Sequence, residues 1–271
     1  MPIERRKEGR AEYGLRNRKT GANPAGLMLI HVTPVGAARE ILRAGKITVR
    51  HCRVFERDLV YFFLLRPAYK LKDGREKRGL IDFFPFVFVF DPALMSAPYH
   101  VYPFDTGGAI NGAFDAAHSP YVPLEDYALE ETLQGAADHI SWAFDTRAAY
   151  FDGRLRPNLS EALPAWDSHG HTFIEIARLA AEGSNRPDLR ASSIEVAYAH
   201  HAPLTPHAKF AVLPRQFLED PRGNNAVMVD ALTASGIEWE TYDWRPNRAP
   251  EEFHFEVNAI VRGWLASRGM L

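Results

Sequence analysis

Residues 27–45 prescribe a buried strand that runs directly into a helix, and that join limits the folds open to this 271-residue chain. The run Leu27-Met28-Leu29-Ile30 is apolar throughout and reads as a buried strand. Thr33 is a natural N-cap, and Pro34 suits the first helical position, where no N–H is needed. Val35, Ala38, Ile41 and Leu42 then fall on one helical face, and Gly45 supplies a left-handed stop. His31 stands between the two elements, at a strand end beside a helix N-terminus. Backbone donors meet phosphates and riboses at such places, so His31 is a candidate nucleotide contact.

The rest of the chain mixes strand and helix signals without regular alternation. Residues 46–55 read as an extended piece and residues 59–65 as a second buried strand. Residues 66–79 form a charged loop broken by Pro67 and Gly74. Residues 83–90, Phe-Phe-Pro-Phe-Val-Phe-Val-Phe, predict a strand whose ordered core begins just after Pro85. Residues 91–124 read as irregular connection, 129–144 as a weaker helix, 146–168 as loop and 173–181 as a short helix. Strands are expected at 193–198, 210–213 and 237–242, and helices at 224–235 and 251–268. A mixed order of this kind favours an α+β fold over a parallel dinucleotide-binding sheet.

Composition narrows the class. No stretch approaches the roughly 18–20 apolar residues that a membrane span needs, and the N-terminus is charged rather than signal-like. The single cysteine, Cys52, excludes an internal disulfide framework and a cysteine-rich zinc module. A cytoplasmic protein with no membrane partner is expected. Residues 1–26 read as a basic N-terminal arm, mobile or loosely packed, ahead of one domain spanning 27–271. Charge is unevenly spread. Residues 1–22 carry seven Arg/Lys against Glu4, Glu8 and Glu12, and residues 66–78 carry six against Asp73 and Glu76. Residues 79–146 hold ten Asp/Glu and no Lys or Arg. Such blocks predict a polarised surface, on which the basic parts steer an anionic partner.

Three separated segments carry the chemistry: His31-Val32-Thr33; Val60-Tyr61-Phe62-Phe63 followed by Arg66-Pro67-Ala68-Tyr69; and Ser192-Ser193-Ile194-Glu195. The last places a lone carboxylate in an apolar strand, which is expensive unless it is exposed or functional. An early histidine, a strand tyrosine about thirty residues on and a late strand glutamate resemble the His-Tyr-Glu signature of the ADP-ribosyltransferase superfamily. With Ile41-Leu42-x-x-Gly45 and the Arg/Pro/Tyr turn, residues 27–70 look most like the DarT-type DNA ADP-ribosyltransferases. The resemblance covers residues 27–70 and 185–215.

That resemblance implies an ADP-ribosyltransferase-like split β-core with surrounding helices, with NAD as co-substrate. It implies that His31 bonds a ribose hydroxyl, with Thr33 supporting that side chain or the neighbouring ribose, and that the Val32 backbone holds the nicotinamide carboxamide. Tyr61 and Tyr69 would flank the nicotinamide ring, and Arg66 would meet the pyrophosphate or the substrate. Glu195 would hold the 2′-hydroxyl of the nicotinamide ribose, stabilise the positive charge that grows as the glycosidic bond breaks, and, given suitable geometry, help deprotonate the acceptor. Asn185, Arg186, Arg190 and Ser192 fall where the superfamily has its target-recognition loop. A nucleic-acid acceptor, a toxin or anti-phage role and an antitoxin or inhibitor protein as partner follow from the same likeness. Two departures stand out: Val32 replaces the glycine usual in the polymerases, and Ser193 replaces the second Glu or Gln of arginine-modifying members.

Other readings remain beside this one. The acceptor is a protein or water in the nearest alternatives, and a silent nucleotide-binding module is another. Asp167-Ser168-His169-Gly170-His171, with His200, His201 and His207, has the residue types of a metallohydrolase site. Cys52 beside His51 suggests a thiolate, but neighbours on a strand face opposite ways, and a lone buried cysteine is the expectation. A Gly-rich phosphate loop is lacking, which removes support for a kinase or dehydrogenase.

Overall fold

A computed structural model describes residues 2–6, 14–68, 80–180, 188–219 and 224–271. In chain order the strands are β1 (Leu29–Pro34), β2 (Lys46–Ile47), β3 (Arg50–Cys52), β4 (Arg57–Leu64), β5 (Pro85–Phe90), β6 (His100–Tyr102), β7 (Glu195–Tyr198), β8 (Ala202–Pro203), β9 (Ala208–Pro214) and β10 (Glu238–Tyr242). The helices are α1 (Val35–Ala44), α2 (Thr106–Ile110), α3 (Leu133–Phe144), α4 (Arg147–Phe151), α5 (Ser168–Arg178), α6 (Asn224–Ala234) and α7 (His254–Ala266). The central sheet runs β10-β9-β5-β1-β4-β7-β6, with β3 also paired to β4. Its pairings are antiparallel except for β10 beside β9, so the fold is α+β with a mostly antiparallel sheet.

The aromatic run forms the middle of this sheet. Every residue of β5 is buried, so both faces of the sheet are covered here, and its strand starts at Pro85. Each fully buried phenylalanine contributes ~1.5–3 kcal/mol of hydrophobic stabilisation. Phe90 meets Phe62 of β4 edge to face, and Trp264 of α7 stacks on Phe210 of β9 with centroids 5.0 Å apart.

β1 divides its pairing unequally between its two neighbours. Against β5 it is paired along all six residues, Leu29 to Pro34. Against β4 it is paired only at Leu29↔Leu64 and Ile30↔Phe63. β4 continues toward β7, pairing Val60 to Phe63 with Tyr198 to Glu195. The sheet therefore opens between β1 and β4 beyond Ile30.

The same pairing corrects the expected start of α1. Thr33 stays in the strand opposite Phe86, and Pro34 faces Pro85, so neither has a role inside the helix. Helix α1 begins at Val35 without a side-chain cap, and the Val35 N–H donates to the Phe84 carbonyl instead. The expected buried face and the Gly45 stop, at φ 64°, are both present.

Two connections expected to be irregular contain short elements. β6 and α2 lie within 91–124, and α4 lies within 146–168. The carboxylate of Asp105 caps α2 through the Gly108 N–H, and Thr132 and Thr146 cap α3 and α4. Helix α5 starts five residues earlier than periodicity suggests because Asp167 caps it through the Gly170 N–H.

Residues 2–6 and 14–26 are not a loose arm. Ile3 and Leu15 are buried in the same hydrophobic core as the sheet. Arg5 pairs with Glu125, Arg16 with Glu131, Lys19 with Glu130 and Arg18 with Asp167. Asp138 accepts hydrogen bonds from the Thr20, Gly21 and Ala22 N–H groups and from the Thr20 hydroxyl, at 2.8–3.2 Å. Arg5, Arg16 and Lys19 of the basic block thus pair with the acidic block, which neutralises part of the polarity expected at the surface.

Burial alone would raise the Asp138 carboxyl, but these donors outweigh it and hold the group below its ordinary range. Such a carboxylate adds stability that is present above about pH 4 and is lost as pH falls through its lowered folded value. Asp138→Ala is expected to cost about 1–3 kcal/mol by orphaning these donors. Urea unfolding at pH 7 measures the loss, and repeating it at lower pH should narrow the gap between native protein and variant.

Candidate functional site

The pleat decides which side chains meet. Registers Phe63↔Glu195, Tyr61↔Ala197, Tyr102↔Glu195 and His100↔Ala197 set Tyr61, Phe63, His100, Tyr102 and Glu195 on one face of the sheet. Val32 joins that face through Ile30↔Phe63. A cavity of about 300 Å³ opens there, lined among others by Val32, Cys52, Tyr61, Asp105, Arg190 and Glu195. Tyr61 and Glu195, 134 positions apart in the numbering, are brought to one cavity by the β4–β7 ladder.

Glu195 is buried and hydrogen-bonded through both of its oxygens. Thr106 donates its hydroxyl to Oε1 at 2.7 Å and its N–H to Oε2 at 3.2 Å. His100 Nε2 lies 3.1 Å from Oε1. Burial pushes the Glu195 carboxyl up to about 7, against the opposing pull of the Thr106 donors and a hydrogen bond with Asp105. The expectation of a lone, unpartnered carboxylate is therefore corrected. What solvates Glu195 is a neighbouring helix start and a histidine.

His100 and Asp105 were not recognisable in the sequence. His100 sits among aromatic rings, with Phe55 at 4.3 Å, Tyr102 at 5.0 Å, Tyr99 at 5.5 Å and Tyr61 at 5.8 Å between centroids. Asp105 pairs with Arg190 at 3.0 Å and caps α2. Its carboxyl is pushed up to about 6, first by burial and then by the charge of Glu195, against the pull of Arg190 and the Gly108 N–H. Two carboxyl groups thus share one cavity, and burial pushes both of them up toward neutrality. The tyrosine at its side is held neutral: burial, then Glu195 and Cys52, push its hydroxyl far above the ordinary range.

His31 lies across the opening from this cavity. It alternates with Val32 onto the other face of β1, where its ring meets Phe62. Its Nδ1 is 2.9 Å from the Tyr61 carbonyl, so that nitrogen carries the proton and donates across the gap. Burial lowers the imidazole below its ordinary value, opposed by the Tyr61 bond, with Arg50 adding to the lowering. A neutral ring with a protonated Nδ1 leaves Nε2 as an acceptor. Thr33 shares this face and is buried.

Arg66 has a different place from the one expected. Leu65 turns the chain with a left-handed φ of 55°, and Arg66 enters the core. Its guanidinium donates to Ser193 Oγ at 3.0 Å, Ser192 Oγ at 2.7 Å, the Leu189 carbonyl at 2.6 Å and the Tyr150 carbonyl at 3.0 Å. Every nitrogen is spent, so Arg66 is not available to a pyrophosphate. It braces the turn Leu189–Ser192, which leads into Glu195. Ser192 is equally buried and serves this brace rather than target recognition. Ser193 closes the same network by donating to the Leu189 carbonyl. Arg190 is the cation that does line the cavity, held between Asp188 and Asp105. Tyr69, Asn185 and Arg186 lie outside the described residues.

Cys52 is half-buried rather than enclosed, and the Tyr61 hydroxyl donates to its sulfur at 2.8 Å. The Asp167–His171 cluster is dispersed by its helix. Asp167 caps α5, His169 meets Asp126 at 3.2 Å, and His171 meets the Pro164 carbonyl at 3.2 Å. Among the described residues no group of three or more His, Cys, Asp or Glu side chains could hold a metal ion. Among them too, no helix is long and apolar enough to cross a membrane. Comparison with protein families and with curated proteins finds no match for the chain.

Two outcomes follow from this geometry. Arg66→Lys keeps the charge but loses the planar fork, and is expected to lower stability by about 2–4 kcal/mol in chemical denaturation. Glu195 ionises in the unfolded chain near its ordinary 4.5 and in the folded protein only near about 7. The folded state binds more protons across that window, so stability falls as pH rises through it. Glu195→Gln should flatten that fall and raise stability at pH 7 by ~1 kcal/mol or more, read as melting temperature against pH.

Proposed function

We propose that this protein is an NAD-dependent ADP-ribosyltransferase of the His-Tyr-Glu type, acting on nucleic acid. One observation carries the reading: Tyr61 and Glu195 line one cavity with Val32, at the place where β1 parts from β4 and His31 bridges the gap. An α+β core whose sheet opens between two strands is what the superfamily's split β-core requires.

The chemistry of each group suits the role. A cavity of about 300 Å³ accepts the nicotinamide riboside end of NAD, with the adenosine end leaving past His31. The Tyr61 ring offers a flat apolar wall for the nicotinamide. His31, through Nε2, accepts a hydrogen bond from a ribose hydroxyl. NAD supplies an activated glycosidic bond whose cleavage leaves positive charge on the sugar. Glu195, held in place by Thr106 and His100, accepts the 2′-hydroxyl and stabilises that charge. A cationic nicotinamide ring beside it favours the ionised carboxylate, which brings the group into its working form on binding.

Nucleic acid as acceptor rests on the likeness of residues 27–70 to the DarT type, and Arg190 is the described cation at the cavity that suits a phosphate. In the basic block at residues 1–22, Arg5, Arg16, Arg18 and Lys19 are occupied by acidic partners, so their weight in this choice is small.

Incubation with labelled NAD and separate DNA, RNA and protein pools tests the reading. Nicotinamide release and label on a nucleic-acid pool are expected. Glu195→Gln is expected to reduce release by ~10²–10³-fold, the cost of one preorganised electrostatic group. A native protein that releases no nicotinamide, or a Glu195→Gln variant that turns over at the native rate, would end the proposal.

A further inference from the structure

The cavity holds a second carboxylate whose presence the helix cap does not explain. Asp105 caps α2 through the Gly108 N–H at 3.0 Å, but a cap needs only one side-chain oxygen. Threonine does that work for α3 and α4 in this same chain, at Thr132 and Thr146. A carboxylate at 105 adds like-charge repulsion against the buried Glu195, a cost that threonine or serine would avoid. Asp167, which caps α5, pairs with Arg18 and does not line this cavity.

The two carboxylates are also held differently. Glu195 receives the Thr106 hydroxyl, the Thr106 N–H and His100, which fix both of its oxygens. Asp105 keeps one oxygen on Gly108, and its other oxygen faces Arg190, which comes from the turn bordering the cavity and also pairs with Asp188. When Arg190 turns to a phosphate, that second oxygen is released into the cavity, while Asp188 remains a partner for Arg190.

We propose that Asp105 is the general base that takes the proton of the incoming acceptor, while Glu195 holds the sugar. The inference rests on the NAD reading above. In the step, the bond between C1′ and the nicotinamide nitrogen breaks, and its electron pair leaves with nicotinamide. The lone pair of a nucleic-acid N–H or O–H group forms the new bond to C1′, and its proton passes to the Asp105 carboxylate and then to solvent. Arg190 links the two events, because binding the nucleic-acid phosphate is what frees the base.

The test measures partition. Full-length native protein, Asp105→Asn, Asp105→Ser and Glu195→Gln are given NAD labelled in its adenylate half, with mixed-sequence single-stranded DNA and RNA oligonucleotides. Nicotinamide release and label on the oligonucleotides are followed together. Asn and Ser both preserve the cap, so α2 is retained. In both Asp105 variants the fraction of ADP-ribose reaching oligonucleotide rather than water should fall ~100-fold, within the range for a lost general base. Glu195→Gln should lower both readouts in parallel, with that fraction unchanged. An unchanged fraction in the Asp105 variants, or loss of both readouts in parallel, makes Asp105 structural and overturns the assignment. Release by native protein without labelling overturns it as well. No release by native protein overturns the NAD reading itself.

Discussion

The unequal pairing of β1 is the constraint on which the rest depends. Six residues of ladder hold it to β5, and two hold it to β4. The aromatic burial of β5 makes the first partnership expensive to break, so the second gives way. The resulting gap is not left to water alone, because the His31 imidazole crosses it to the Tyr61 carbonyl. A sheet with full pairing on both sides of β1 would carry the same core and no such opening.

Around that opening, a buried cation and two carboxyl groups are handled in opposite ways. Arg66 lies in the core and is satisfied by carbonyls and serine hydroxyls, with each of its nitrogens donating. The result is rigidity: the turn before β7 is tied to the end of β4, and Glu195 inherits its position from both. Glu195 and Asp105, by contrast, are both pushed up by burial, and the charge of Glu195 further opposes the ionisation of Asp105. The fold invests stability in the first and surrenders some in the second, as sites with chemistry to do commonly require.

Legibility followed the length of each signal. The long apolar runs at residues 27–30, 59–65 and 83–90 were readable as strands because continuous burial needs no partner to be inferred. Glu195 was readable because it interrupts such a run. His100, Asp105 and Thr106 were not, since β6 has three residues ahead of Pro103 and α2 contains Gly107-Gly108, a poor helix former held by its cap. Thr33 has the chemistry of a cap, yet its pairing with Phe86 prevailed over local preference. Arg66 resembles its basic neighbours in sequence, and only acceptors more than eighty residues away make it a core residue.

The docking of Arg5 and of residues 16–22 onto residues 125–138 sets an order of events. Glu125, Glu130, Glu131 and Asp138 stand more than a hundred positions after the groups they bind. During synthesis the basic segment emerges first but has no partner until the acidic one follows. Such long closures form late and are weakened by salt at their exposed pairs. A segment made before its partners is thus among the last to find its place, a clasp fastened over a body already built.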